Sequence, residues 1–327
     1  MPLRRSALWA VTCYFNPAGY QRKLENFRTF RDRLTVPLIA VEQGFDGRFE
    51  LGPGDADVVL RVRDGDVLWQ KERLLNLGIK ALPRACEAVA WLDCDIIFDE
   101  AGWAEESLRA LERLELVHLF HERHNLPRDE SLDRLADWTR RATSLSAVHK
   151  VTTGRASLGD LIQNNAQLDL GSTAGLAWAC RRAVLDAHGL YDACILGGAD
   201  RVMMCAGLGE LAAGAQANHM NSRRMAHYLA WARPFFESVR GRVGAIPGRV
   251  FHLWHGDLRD RRYEERIDLL DDLDPYTDVV ADAGGCWRWN SDKPDLHAAV
   301  RRYFEARNED GLPAEECLAS LAGAREA

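Results

Sequence analysis

Two carboxylates two residues apart, Asp93 and Asp95, follow the apolar run Ala88-Val89-Ala90-Trp91-Leu92 and precede Ile96-Ile97-Phe98. A continuous apolar run of this length reads as a strand buried on both faces. The pair therefore sits at a strand's carboxyl end. In extended chain, residues i and i+2 point to the same side. Two ionised carboxylates held side by side repel unless a cation lies near them. A hard divalent ion, Mn2+ or Mg2+, meets that need and keeps open positions for phosphate oxygens. The plainer alternative is a strand-end turn whose Asp residues cap the next helix.

Three further segments carry chemistry. Arg249-Val250-Phe251-His252-Leu253-Trp254-His255-Gly256 reads as a short strand ending in histidines, and imidazole can join carboxylates around a metal. Alternation puts His252 and His255 on opposite faces unless the strand ends between them. One ligand is therefore expected, with His252 the better placed. Lys71 and Arg73 open a helix over Leu68–Leu82, where the macrodipole opposes positive charge and a bound anion would reverse the cost. On the same helix, Asn76 allows polar contact and Gly78 close packing. A surface amphipathic helix is the bland alternative. Gly171 and Gly175 let backbone approach a ligand closely. Farther on, Gly197-Gly198-Ala199-Asp200 presents an acid at a helix start, suited to an N-cap, a base or both.

The elements that must position these residues alternate. Strands are expected at Ala7–Tyr14, Pro37–Glu42, Val58–Val62 and Ala88–Asp93, with helices at Tyr20–Leu34 and Leu68–Leu82. That order predicts an α/β fold with a mixed, mostly parallel sheet flanked by helices, and ligands at the carboxyl ends of its strands. Glu115–Phe120 reads as a further strand. Pro127 to Asn165 is a polar, Arg-rich excursion with one helix near Leu132–Arg141, the pattern of a lid or mobile loop. Its basic residues Arg140, Arg141, Lys150 and Arg155 suit an acceptor surface or a solvated face. Leu176–Ala187 reads as strand then helix. Arg201–Leu211, Tyr263–Leu270 and Leu296–Ala306 read as helices, Arg249–Leu253 as a strand, and the last dozen residues as frayed.

Composition narrows the class. The 327 residues carry 42 Lys+Arg against 49 Asp+Glu, a net charge of -7, with 47% hydrophobic residues. A chain of this size buries roughly 75% of its unfolded surface, so it needs no staples. The acidic balance argues against a general nucleic-acid coat. No apolar run reaches the ~18 residues of a membrane span, and the amino-terminal run reads as a buried strand rather than a signal peptide. Eight cysteines without a CxxC pair predict reduced, buried thiols and a cytoplasmic chain. The spaced trio His118, His121 and His124 suits an acceptor cleft better than a metal. Trp254, Trp287 and Trp289 suit a sugar platform or core packing.

These blocks, in this order and over about residues 7–266, resemble the GT-A glycosyltransferases, most of all the β-1,4-galactosyltransferase and chondroitin-synthase-like group. There, a Phe-Asn-Arg-Ala-Lys-Leu-Leu-Asn-Val-Gly-like stretch precedes the DxD strand, and Trp69 to Gly78 stands in its place here. A Gly-rich segment, Gly-Gly-Glu-Asp and a metal-binding His follow, matched by Gly171–Trp178, Gly197–Asp200 and His252/His255. The resemblance implies a single GT-A domain over 1–327, with a nucleotide-sugar half at about 1–125, an acceptor half at about 126–270 and a helical extension at about 271–327. It implies a hexosyl or N-acetylhexosaminyl transfer from a nucleotide sugar, usually a UDP-sugar, to a carbohydrate or other hydroxyl acceptor, with inversion. Mn2+ or Mg2+ would be held by Asp93, Asp95 and one of His252 and His255. The donor would meet Lys71, Arg73, Asn76, Asp93, Asp95 and Gly171, and Asp200 would be the base. The departure is Ala199, where the family has a Glu that helps hold the acceptor sugar. Three alternatives stay open. One is transfer to modified nucleic-acid bases, suggested by the basic excursion. Another is a nucleotidyltransferase, for which Asn16-Pro17-Ala18-Gly19 is a poor phosphate loop. The third is a nucleotide-sugar-binding protein that has lost activity.

Overall fold

The computed structural model describes residues 7–63, 65–164, 171–262 and 265–312. The first third alternates as its sequence pattern requires: β1 (Leu8–Phe15), α1 (Gln21–Arg33), β2 (Leu38–Gln43), β3 (Val58–Val62), α2 (Lys71–Lys80) and β4 (Ala88–Leu92). Next come β5 (Ile96–Phe98), α3 (Trp103–Leu111), β6 (Leu116–His118), β7 (Glu122–Asn125), β8 (Ser144–Ser146), α4 (Ala147–Thr152), α5 (Leu158–Asn164) and β9 (Ser172–Thr173). They are followed by β10 (Ala177–Arg181), α6 (Arg182–His188), α7 (Ala199–Leu208), α8 (Leu211–Ala217) and α9 (Ser222–Val239). The chain closes with β11 (Val243–Ala245), β12 (Arg249–His252), α10 (Glu265–Asp268), the hairpin β13 (Val279–Ala281) and β14 (Trp287–Trp289), and α11 (Pro294–Glu305).

The architecture is α/β. A seven-stranded sheet runs in the order β11-β6-β10-β4-β1-β2-β3. All neighbours are parallel except at β10, which is antiparallel to both β4 and β6. Every residue of β4 is buried, as its unbroken apolar run demands. On α2, Leu74, Leu75 and Ile79 face the core, and each full burial contributes about 1.5–3 kcal/mol. A second sheet, β5-β12-β7-β8-β9, stands at the end of the first and carries β12 and its histidines beside β5.

The middle of the chain departs from the sequence expectation. The excursion is not one loose loop: β8 pairs with β7, placing Leu145 opposite Glu122, and α4 and α5 follow it. The helix expected near 132–141 is a 3-10 turn at Leu132–Asp137. The helix expected over 201–211 is α7, which starts two residues earlier, with α8 after it. Of the helix expected over 263–270, residues 263 and 264 lie outside the described range, and four of the described residues are helical in α10. The 18-residue α9 lies in a stretch assigned no element from sequence, and it holds Pro234 in its interior. Yet Tyr228, Ala232, Phe235 and Val239 are buried at helical spacing, which outweighs the ~3 kcal/mol cost of an interior proline. Among the described residues, no helix is long and apolar enough to cross a membrane. The seven described cysteines are free. The last dozen residues and Cys317 lie outside the described range.

Candidate active site

Three contacts pin the Asp93–Asp95 turn. Thr12 Oγ1 donates to Leu92 O at 2.7 Å on one side. Asp93 N donates to Leu176 O, and Leu253 N to Asp95 O, each at 2.8 Å. The β5–β12 register sets His252 opposite Ile96, next to Asp95. Because β12 stops at His252, the chain turns and brings His255 back to the same place.

The result is a compact trio. His255 Nε2 lies 3.1 Å from Asp95 Oδ2, and His252 Nε2 lies 3.7 Å from Asp95 Oδ1. The two Nε2 atoms are 3.2 Å apart. One ligand atom from each residue falls within 4.8 Å of the others. Asp95 Oδ1 is buried and has no hydrogen-bond partner among the described residues. Burial would raise the Asp95 carboxyl, but the facing His255 and His252 hold it well below the carboxylate range. Burial keeps His252 well below the imidazole range, against the pull of Asp95, so it is neutral at pH 7 with a lone pair to offer. An orphaned carboxylate oxygen beside two convergent imidazoles fits a divalent cation. Two nitrogen donors favour Mn2+ over Mg2+, which prefers oxygen alone.

Asp93 turns elsewhere. Its Oδ1 lies 2.6 Å from Lys71 Nζ, which also lies 2.8 Å from Asp200 Oδ2. Burial opposes the Lys71 charge, yet Asp200 and Asp93 hold its pKa well above the usual value. Burial, with Asp200 and Asp95 nearby, pushes Asp93 up to about 6 against the pull of Lys71. Asp200 stands in the first turn of α7, delivered by Gly198 at φ +94, where a Cβ would lie 2.7 Å from Asn218 Oδ1. Its Oδ1 is buried and without a hydrogen-bond partner among the described residues. A Cβ on Gly175 would lie 3.0 Å from Asp200 Oδ2. His118, fully buried, holds that glycine: its Nε2 donates to Gly175 O at 2.9 Å, and its Nδ1 accepts from Ser146 Oγ at 2.6 Å.

The charges that open α2 face carboxylates of the chain: Lys71 faces Asp93 and Asp200, and Arg73 faces Asp192 at 3.1 Å. Arg73 also donates to Gly285 O and stacks on Trp287 at 4.4 Å. Asn76 bridges the Leu190 backbone in both directions, at 2.8 and 2.9 Å. Gly171 O accepts from Lys150 Nζ at 2.6 Å. Trp254 lies between Arg22 and Arg128, and Trp289 stacks on His297. His121 and His124 meet across Glu122 in the second sheet, 3.3 and 3.2 Å from its carboxylate.

Two parts of the site had no signal strong enough to flag. Glu72, buried at the start of α2, is pushed up to about 8 by burial, and by Asp200 and Asp93, despite Lys71. Only its place in a first turn otherwise basic marks it. The other is an aromatic and basic pocket of Phe15, Lys23, Trp69, Phe304, Arg307 and Glu309 at the carboxyl end of β1. Its far wall comes from the carboxyl-terminal segment, which carries no local motif.

No protein-family model matches the chain, and no curated protein matches it. Several solved structures are similar to it. One is glucosyl-3-phosphoglycerate synthase from Mycobacterium tuberculosis in complex with Mn2+, UDP-glucose and phosphoglyceric acid, at 14% identity and TM-score 0.36, over 69% of this chain and 80% of that one. Another is 4-diphosphocytidyl-2C-methyl-D-erythritol synthase from Anaerococcus prevotii, at 12% identity and TM-score 0.33, over 75% and 90%. A third, a mycobacterial protein, aligns at 13% identity and TM-score 0.37, over 87% and 83%. The functional reading rests on the side chains.

Proposed function

We propose that this chain is a metal-dependent GT-A glycosyltransferase that moves a sugar from a nucleotide sugar, a UDP-sugar, to a hydroxyl acceptor with inversion. One observation carries the reading. The turn at the end of β4 feeds two separate centres, a buried carboxylate–imidazole trio and a lysine-held acid, as sugar–phosphate cleavage and acceptor deprotonation require.

Asp95, His252 and His255 would hold Mn2+. The ion supplies charge to meet the negative charge that develops on a leaving diphosphate. The other roles belong to the chain. Lys71 orients Asp200 through Oδ2 and leaves Oδ1 to accept the proton of an acceptor hydroxyl. Such general-base help is worth about 10²–10⁴-fold. The donor would lie at the carboxyl edge of the sheet, where α/β folds take ligands. Beside Asp200, Ala199 provides no carboxylate for an acceptor sugar, so other groups must hold the acceptor.

The test is thermal unfolding with nucleoside diphosphates and nucleotide sugars, with and without Mn2+, in wild type and Asp95→Ala. A ligand at 100 times its Kd adds about 2.7 kcal/mol, an easily read shift. UDP should raise the wild-type midpoint only with Mn2+, and the variant should lose that rise. No shift in wild type with any nucleotide would overturn the reading.

A further inference from the structure

The His255-Gly256 turn is packed against the far end of the chain. Gly256 sits at φ +87, and a Cβ there would lie 2.7 Å from Asn308 O. The segment that follows α11 is tied to this spot from several sides. The Tyr20 hydroxyl donates to Glu305 O at 2.8 Å and accepts from Asn308 N at 3.0 Å. The Asp310 carboxylate accepts from the Gln21 and Arg22 amides. Arg128 donates to Asp310 O and Gly311 O at 3.0 and 3.1 Å.

Within this segment Glu309 is 2% exposed. A buried carboxylate needs charge partners, and Glu309 has Arg307 Nε at 2.6 Å and Lys23 Nζ at 3.8 Å. Its Oε1 also lies 3.8 Å from His255 Nδ1, the nitrogen on the opposite side of the ring from the trio. A carboxylate facing one imidazole nitrogen favours the proton there and leaves the other lone pair free for a metal, while fixing the ring plane.

We infer that Glu309 is a positioning residue: it sets the orientation and tautomer of His255, so that cation affinity at Asp95, His252 and His255 depends on docking of the carboxyl-terminal segment. The inference rests on the metal reading of that trio. Arg307 and Glu309 also line the aromatic pocket at the end of β1.

The experiment titrates Mn2+ alone, without donor, into the full chain by calorimetry or Mn2+ paramagnetic resonance. Wild type should bind saturably and Asp95→Ala should not. Glu309→Gln, which keeps shape and loses charge, should weaken Mn2+ about 10–100-fold, the usual loss for an outer-shell carboxylate, and Glu309→Asp should recover part of it. In a His255→Ala background, Glu309→Gln should change Mn2+ affinity less than about twofold. Hydrogen exchange of the wild type adds a readout that needs no variant: Mn2+ should slow the amides of residues 304–312. A folded Glu309→Gln that binds Mn2+ as wild type does, or wild-type exchange unchanged by Mn2+, overturns this inference and leaves the trio's metal role standing. Wild type that binds no Mn2+ overturns both.

Discussion

Asp93 and Asp95, two residues apart, face opposite electrostatic surroundings. Asp95 looks at two buried imidazoles, which hold its carboxyl well down. Asp93 looks at a lysine and a second carboxylate, and burial with those acids pushes it up to about 6. The rule that i and i+2 share a side holds for extended chain. Here β4 ends at Leu92 and the chain turns through residues 94 and 95, so the two carboxylates diverge. Paired acids driven apart in this way take different tasks. Under the proposed function, one centre would hold a cation and the other would take up and release a proton.

The largest expected effect separates the two centres kinetically. Asp200→Asn should lower turnover about 10²–10⁴-fold, with the Mn2+-dependent thermal shift by UDP nearly intact. Asp95→Asn should abolish that shift along with turnover. Steady-state kinetics beside thermal unfolding reads both variants. Loss of donor binding in Asp200→Asn would mean that the two centres act as one.

Much of this arrangement was legible before the structure. The parallel run from β1 to β4 followed from alternating strand and helix patterns, because strands buried on both faces must be apolar throughout. Asp95, His252 and His255 stood out as an acid and histidines at strand ends, and Asp200 as an acid presented by a Gly-Gly pair at a helix start. What stayed hidden depends on nonlocal packing. The partner of Asp93 is Lys71, a helix upstream, and no spacing rule links them. Arg73 and Asn76 read from sequence as donor contacts or as part of a surface amphipathic helix, and the structure adds contacts from both to the 189–192 segment, through Asp192 and Leu190. The joining of His252 and His255 turned on where β12 stops, and its pairing with both β5 and β7 ends at His252. Glu309 was invisible because nothing near it in sequence suggests that the chain's end returns to the site.

The middle-sized prediction concerns Lys71. Replacing it by Met leaves Asp93 and Asp200 facing each other without the cation between them. Breaking a buried ion pair from one side costs about 3–5 kcal/mol. The Asp93 side chain is 26% exposed, so solvent lowers the expected loss to about 2–3 kcal/mol. Urea unfolding of Lys71→Met should show that loss, while Mn2+ affinity stays within about threefold of wild type, since the trio shares no atom with this centre. A stability unchanged from wild type would remove the lysine-held centre from the comparison.

The smallest effect decides to which centre Asp93 belongs. Asp93→Asn keeps an oxygen that can accept from Lys71 Nζ and removes a charge that repels Asp200 and Asp95. The lost charge-assisted bond costs about 1–2 kcal/mol, and the relief of repulsion offsets part of it, so stability should move by about 1 kcal/mol or less. For Mn2+ the geometry makes a sharper statement. The Asp93 carboxylate is engaged 2.6 Å from Lys71, and the convergent set is Asp95, His252 and His255 without it. Calorimetry on Asp93→Asn should therefore give a Mn2+ affinity within about threefold of wild type. A loss as deep as that of Asp95→Ala would show that Asp93 leaves Lys71 when the cation binds. Lys71 would then keep Asp200 alone in the loaded protein, and the division between the two centres would hold only for the metal-free state.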